Sequence, residues 1–137
     1  MKSNLIVLSL FICTSCITFD DGEENVMFSL KNIGQTHYSK ITVYAKELSP
    51  STSYLDSTEA LMELNSPVNR PSDTSYAVTV DLGKIKNAKQ GLFEIKAVNV
   101  NSEMISKEFG SINGVKTQEF FWIELKDSAI FVYNKRQ

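Results

Sequence analysis

The chain contains few of the residues from which catalytic and metal sites are usually built. Its 137 residues include two cysteines and a single histidine, His37. Structural zinc sites are closed by several cysteine and histidine ligands, so counting excludes a centre of that kind. None of the G-x-S-x-G, H-E-x-x-H, P-loop or G-x-G-x-x-G patterns occurs. We therefore predict a protein that is not an enzyme, with no catalytic residues, no metal and no cofactor.

An excess of basic charge is also missing. Lysine and arginine number 14 against 16 acidic residues, which gives a net charge of -2 at pH 7. Because phosphate contacts need clustered lysine and arginine, nucleic acid is excluded as the main partner. Glycine and proline are scarce, at six and three residues, and hydrophobic residues make up 42% of the chain. This composition is typical of one folded domain.

No apolar run reaches the length of about 20 residues that spans a bilayer. The apolar run at residues 5–12 follows the basic start Met1-Lys2 and precedes Cys13-Thr14-Ser15-Cys16. A positive start, a short apolar stretch and small polar residues are the three parts of a secretory signal peptide. The sequence therefore predicts export, with residues 1–15 removed.

The residues before Cys16 resemble the lipobox of bacterial lipoproteins, in which two small residues precede an invariant cysteine. Thr14 and Ser15 match the small pair, whereas Cys13 stands where leucine is usual. The resemblance implies that Cys16 carries a diacylglycerol and that cleavage occurs before it. The alternatives are a signal without lipidation and a C-x-x-C redox pair, although no βαβ pattern surrounds the two cysteines.

An acidic segment, Asp20-Asp21-Gly22-Glu23-Glu24, follows the predicted lipidation site. Repulsion between like charges is expected to keep such a tether extended. The segment resembles the acidic export signal of surface lipoproteins in Bacteroidetes, and Ile17 stands where an inner-membrane retention signal would have aspartate. The resemblance implies an outer-membrane lipoprotein on the cell surface or the periplasmic face. We expect a signal peptide at 1–15, a lipidated cysteine and tether at 16–25, and one domain at 26–137.

Apolar and polar residues alternate with a period of two through most of the remaining chain, which is typical of half-buried strands. The runs with this alternation are 26–31, 38–47, 76–82, 91–101, 104–112, 117–126 and 129–133. No long amphipathic helix interrupts them. We predict an all-β fold, a single antiparallel β-sandwich of about seven strands, immunoglobulin-like or transthyretin-like.

Two connections and one competing fold qualify this prediction. Residues 49–75 hold all three prolines and are expected to form a long irregular connection, in which 57–64 form either a helical turn or a short edge strand. Asn113-Gly114 predicts a β-hairpin with a type I′ turn. A lipocalin-like barrel is the competitor, and the long connection leaves too few residues for its eight strands.

The candidate contact residues are aromatic. In the run 117–126, Phe121, Ile123 and Leu125 share one face, and Phe120 and Trp122 share the other. The favoured interpretation is that one face packs in the core and the other packs beneath a loop or a neighbouring strand. The alternative is that these two rings, beside Glu94, Glu119 and Glu124, form a platform for a carbohydrate. Tyr44 is a further candidate, because tyrosine is common at protein interfaces.

We expect a lipoprotein that docks a protein partner of the envelope or captures a ligand, with a glycan as one candidate ligand. Its first partner is the membrane, through the acyl chains on Cys16. A structural role in a secretion or uptake assembly is the alternative, similar to that of small β-sandwich lipoproteins of type VI secretion, and a glycan-active enzyme is a more distant one. The basic C-terminus, Lys135-Arg136-Gln137, has too few charges to form a membrane patch.

Overall fold

The computed structural model describes residues 25–61, 75–114 and 120–134. The predicted lipidation site Cys16 and the acidic tether lie outside the described residues. Those that are described form eight strands and one helical turn: β1 (Asn25–Asn32), β2 (Tyr38–Glu47), β3 (Ser53–Leu61), β4 (Tyr76–Asp81), α1 (Leu82–Ile85), β5 (Gly91–Asn99), β6 (Met104–Ile112), β7 (Phe120–Leu125) and β8 (Ile130–Asn134). The all-β prediction is confirmed.

The strands pair into two sheets of four, in the orders β4-β1-β7-β8 and β3-β2-β5-β6. The predicted sandwich is therefore confirmed, with eight strands in the described residues rather than about seven. Among these strands only β1 and β7 pair in parallel, and every other pair is antiparallel. The parallel pair arises because the chain crosses from β6 in one sheet to β7 in the other.

Alternation along each strand places the core between the sheets. In β2, whose bounds agree with the predicted run, Ile41, Val43 and Ala45 are buried. In β7, the same period of two buries Phe121, Ile123 and Leu125. The inward faces of both sheets thus supply a shared hydrophobic core, as the period of two requires.

Four phenylalanine rings join the two sheets at the centre of this core. Phe28 stacks on Phe121, with ring centroids 5.5 Å apart and planes at 10°. Phe93 and Phe109 from the other sheet meet Phe121 edge-on, at 5.4 and 5.1 Å. Gly110, next to Phe109, has a φ of 66°, and a Cβ there would lie 3.0 Å from the Phe121 ring. Glycine at 110 therefore allows the positive φ of the backbone and leaves room for the Phe121 ring.

Three local predictions need revision or completion. Strand β3 occupies 53–61, so the irregular connection expected over 49–75 is wrong for these residues, and the described part of 57–64 belongs to an edge strand. The hairpin predicted at Asn113-Gly114 is wrong, because β6 pairs with β5, whereas β7 pairs with β1 and β8. Gly114 has the expected positive φ, at 77°, but it lies in the connection between β6 and β7, which belong to different sheets. The helical turn α1 was not predicted.

Polar contacts close the two sides of the sandwich, where edge strands of opposite sheets meet. Asp56 of β3 accepts hydrogen bonds from Lys84 Nζ at 2.9 Å and from the Asp81 backbone N–H at 3.1 Å. Burial raises the pKa of Asp56, but these hydrogen bonds, with one from Ser57, outweigh burial and hold that pKa below its ordinary value. On the other side, Lys107 Nζ of β6 donates to the Ile130 carbonyl at 2.9 Å. A charged side chain turned inward also protects an edge strand against pairing with other chains.

Asp127 organises the end of the sandwich where β1 leads into β2. Its Oδ1 accepts hydrogen bonds from the Gln35 N–H at 2.6 Å and from the Thr36 N–H and hydroxyl at 2.8 and 3.0 Å. A Cβ at Gly34 would lie 2.7 Å from the same oxygen. The buried Tyr38 hydroxyl donates to the Lys126 carbonyl at 2.6 Å, and burial together with the Asp127 charge raises the pKa of Tyr38 to about 12. The β1–β2 and β7–β8 connections are thereby held together.

Because of these hydrogen bonds, we predict that Asp127 contributes to the stability of the fold and that acid removes this contribution. They hold the pKa of Asp127 below its ordinary value, so its ionised form stabilises the fold. That contribution is complete above the unfolded-state pKa of about 3.9 and is lost as pH falls through the lower pKa of the folded state. We expect Asp127→Asn to lower the urea midpoint at pH 7 and to lower it much less near pH 2. Glu47→Gln, at the other end of the sandwich, is the control. A difference between wild type and Asp127→Asn that stays constant with pH would contradict this role.

Candidate functional site

The outward surface of the β4-β1-β7-β8 sheet gathers apolar and aromatic side chains from three strands. Because inward residues of β7 alternate with outward ones, Trp122 points outward, between Ser29 of β1 and Tyr133 of β8 in register. Phe120 lies opposite Met27, and Phe131 lies on the same face of β8. We call these five side chains the aromatic face: Met27, Phe120, Trp122, Phe131 and Tyr133.

The aromatic face is accessible to solvent. Met27 is 42% exposed, Phe131 39% and Tyr133 49%, and Phe120 and Trp122 are half-buried. Single exposed hydrophobic residues are normal on protein surfaces, but contiguous ones mark interaction sites. Two of the predicted contact residues, Trp122 and Phe120, thus belong to a larger exposed patch.

Glu124 links two rings of this face through polar contacts. Trp122 Nε1 donates to Glu124 Oε1 at 3.4 Å. Partial burial, the Glu124 charge and a hydrogen bond to Glu124 raise the pKa of Tyr133. Lys126 Nζ lies 5.8 Å from the centre of the Phe131 ring, within the range of a cation–π contact. The carboxylate therefore helps to orient Trp122 and Tyr133 side by side.

Tyr44, the third predicted contact residue, lies on the outward surface of the other sheet. Its ring is 4.8 Å from the ring of Tyr54, and Lys96 Nζ lies 5.1 Å above Tyr44. We call this group the tyrosine–lysine cluster: Tyr44, Lys46, Tyr54, Glu94, Lys96 and Glu108. The structure therefore does not bring Tyr44 together with Trp122 and Phe120, because the whole sandwich separates them.

Ion pairs neutralise the tyrosine–lysine cluster internally. Lys46 Nζ lies 2.7 Å from Glu108 and 3.3 Å from Glu94, and hydrogen bonding to Glu108 raises the pKa of Lys46. Lys96 donates to the Tyr54 hydroxyl, which raises the pKa of Lys96. Glu94 was predicted to point outward; it does, but these neighbours cover it to 9% exposure. The cluster acts as a cross-strand stabilising network.

The carboxylates considered for sugar chemistry do not converge. Glu94 and Glu124 lie on opposite outward surfaces of the sandwich, and Glu119 lies outside the described residues. His37 is exposed in the β1–β2 connection, where its carbonyl accepts the Val100 N–H at 3.0 Å. Within 25–61, 75–114 and 120–134, no group of three or more His, Cys, Asp or Glu residues is placed to hold a metal ion. No helix in these ranges has the length and apolar character needed to cross a membrane.

Sequence reasoning missed Met27, Phe131 and Tyr133 as members of the aromatic face. The period of two puts Phe131 and Tyr133 on one side of their strand, but the sequence does not show which strands lie beside β7. Pairing of β7 with both β1 and β8 decides this, and the parallel register with β1 has no local signal. Met27 is distant in the sequence from Phe131 and Tyr133, and the sheet order brings all three together with Phe120 and Trp122 on one surface.

Comparison with known proteins shows no match to any family model and no match to a curated protein. Among solved structures, the chain is similar to one described as the NMR structure of the protein from Eubacterium rectale. The TM-score is 0.42 at 11% sequence identity, and the match covers 85% of this chain and 94% of that one.

The position of Trp122 predicts its fluorescence behaviour. Because Trp122 is the single tryptophan and its ring is half-buried, we expect iodide to quench its emission partially. Tyr133→Ala removes the register neighbour and should increase quenching, whereas Tyr54→Ala on the other sheet should leave it unchanged. Emission that iodide does not quench in the folded protein would show that the aromatic face is closed to ligands.

Proposed function

We propose that this chain is a non-enzymatic binding module, anchored to the outer membrane through Cys16, which docks a protein partner on its aromatic face. The single observation that carries the proposal is that five adjoining apolar and aromatic side chains, three exposed and two half-buried, lie on one sheet surface. If nothing covered this surface, the domain would keep a contiguous apolar patch in contact with water, which is unfavourable.

The residue types of the aromatic face favour a protein as its partner. Tryptophan, tyrosine, phenylalanine and methionine are the residues enriched at the centres of interfaces, where charged residues are depleted. Trp122 and Tyr133 also belong to the types that dominate binding energies. Glu124 and Lys126 flank the patch and would belong to its polar rim.

Two other functions would use the same surface differently. A glycan would stack on the flat rings of Trp122 and Tyr133, but Glu124 already bonds to both side chains. A permanent subunit of a secretion or uptake assembly would bury the same face with a fixed stoichiometry. Glycan cleavage finds least support, because Glu94 and Glu124 lie on opposite surfaces.

The proposed anchor leaves the domain close to the membrane. Asn25, the first residue of β1, follows Cys16 by nine positions, and an extended chain of that length reaches about 30 Å. Acyl chains on Cys16 would give firm attachment, because each buried methylene contributes about 0.8 kcal/mol. The module would thus act at the outer membrane, on the cell surface or the periplasmic face.

Docking predicts a loss of partner when the aromatic face is truncated. Combined Trp122→Ala and Tyr133→Ala should weaken a stoichiometric complex purified from detergent-solubilised outer membrane by about 30-fold or more, as expected for removal of interface hot spots. The matched control, Tyr44→Ala with Tyr54→Ala on the opposite surface, should retain the complex. Equal retention by both double variants would contradict docking here, and monomeric protein that binds a glycan array would favour ligand capture.

Lipidation predicts a change of cellular fraction. Cys16→Ser removes the acceptor thiol, so the protein should move from the membrane to the soluble fraction, whereas Cys13→Ser should leave it in the membrane. Fractionation and gel mobility measure both results. If Cys16→Ser stays in the membrane with unchanged mobility, the anchor is not at this residue.

A further inference from the structure

Strand β8 is the last strand of its sheet, so one of its sides has no neighbouring strand in the part of the chain that the structure describes. The hairpin between β7 and β8 shows which backbone groups lie on that side. The Lys126 N–H donates to the Ala129 carbonyl at 2.8 Å, so these two residues are a bonded pair. Leu125 is then a non-bonded partner of Ile130. Its carbonyl agrees with this, because it accepts from the Ile33 N–H at 2.9 Å, on the β1 side.

The open side of β8 carries the backbone groups of every second residue. Bonded and non-bonded pairs alternate along an antiparallel ladder, so the N–H and C=O groups that face away from β7 are those of Ile130, Val132 and Asn134. The Ile130 carbonyl accepts from Lys107 Nζ of β6 at 2.9 Å. Among the described residues, no hydrogen bond occupies the N–H or the C=O of Val132. An edge of this kind is a template for another strand.

The other three edge strands are protected against such pairing. Asp56 of β3 bonds to Lys84 and to the Asp81 backbone N–H, which ties the edge of β3 to the edge of β4. On β6, the Lys107 side chain turns inward and Gly110 has a φ of 66°, beside a shift in the register with β5. Inward charges and such irregularities keep edge strands from joining other chains. Strand β8 has no charge, proline or glycine in its five residues.

The backbone of β8 is complementary to itself in antiparallel pairing. About a two-fold axis at Val132, this residue exchanges two hydrogen bonds with Val132 of a second copy. At each end, the Ile130 N–H donates to the Asn134 carbonyl of the other copy. These four bonds leave the contact of Lys107 with the Ile130 carbonyl in place. No charge on either strand opposes the pairing.

The outward side chains of β8 favour the same register. Phe131 is 39% exposed and Tyr133 49%. With the axis at Val132, Phe131 of each copy lies opposite Tyr133 of the other, at a non-bonded position where side chains approach closely. Aromatic cross-strand pairs stabilise antiparallel strands, and the dimer contains two of them. A strand of another protein has the same backbone groups, whereas a second copy also supplies the matching rings.

We propose that two copies of this chain pair through β8, antiparallel and with Val132 on the two-fold axis. Two sheets of four strands would become one sheet of eight, and the two aromatic faces would adjoin on one surface. The pairing goes beyond the docking of a partner and requires no attachment at Cys16. Interfaces that bury less than about 1,200 Å² are typically weak, and five residues from each copy form a small contact. We therefore expect a reversible dimer.

Sedimentation of residues 17–137, which contain every described residue, tests the pairing. We expect monomers at low concentration and a rising fraction of dimer as the concentration increases. Val132→Pro removes the N–H at the axis, which faces away from β7, so it should abolish the dimer while circular dichroism shows a folded domain. Val132→Ala is the matched control, because it also removes the valine side chain but keeps the N–H. This control should still form the dimer.

Two double variants test the register without a proline. Phe131→Lys with Tyr133→Lys places like charges opposite each other in the dimer, whereas Phe131→Lys with Tyr133→Glu places opposite charges there. Both variants lose the same two rings. The second should dimerise about tenfold more tightly, because each dimer contains two such cross-strand pairs. We expect Trp122→Ala, which leaves β8 unchanged, to keep the dimer.

Four outcomes would overturn the proposal. They are a wild-type chain that stays monomeric at every concentration, equal dimerisation of Val132→Pro and Val132→Ala, equal affinity of the two double variants, and loss of the dimer in Trp122→Ala. The last result would show that copies associate through the aromatic face. Val132→Pro keeps Trp122 and Tyr133, so retention of the partner complex by this variant separates failure of the pairing from failure of the proposed docking.

Discussion

The packing of four phenylalanine rings between the sheets is the contact on which the rest of the molecule depends. The chain has cysteines only at positions 13 and 16, so residues 25–137 fold without a disulfide. Phe28 and Phe121 come from one sheet, and Phe93 and Phe109 come from the other. Aromatic pairs of this geometry contribute about 0.5–1.5 kcal/mol each beyond the burial of their area. Asp56 and Lys107 then close the two open sides, where the sheets separate.

This inward packing leaves two outward surfaces of different character. The β3-β2-β5-β6 surface is polar, and its lysines, tyrosines and carboxylates satisfy one another. The β4-β1-β7-β8 surface is aromatic, and its carboxylate Glu124 contacts Trp122 and Tyr133. The charge network and the aromatic face therefore lie on different sheets, so substitutions on the aromatic face leave the ion pairs of the network in place.

The period of two was enough to predict the sandwich, and in β2 it also predicted the observed bounds. The hairpin prediction at Asn113-Gly114 failed for a different reason. An Asn-Gly pair reports only the local backbone preference, whereas strand pairing depends on which sheet can bury Phe121, Ile123 and Leu125. Alternation alone placed Trp122 and Phe120 together on one face of their strand, but it did not decide whether that face is outward. Their neighbours Met27 and Tyr133 could not be predicted, since they come from other strands of the sheet.

The parallel pairing of β1 with β7 has a consequence for how the chain acquires its structure. The first strand cannot complete its hydrogen bonds until residues 120–125 have been synthesised, and its paired residues in β7 lie 93 positions further along the chain. Folds dominated by such distant contacts form slowly, on a scale of about milliseconds to seconds. A newly made chain thus cannot complete the β4-β1-β7-β8 sheet while it lacks its last strands. Slow folding of this kind is compatible with the proposed export, because the chain would still lack its finished sheets while it threads through a translocation channel.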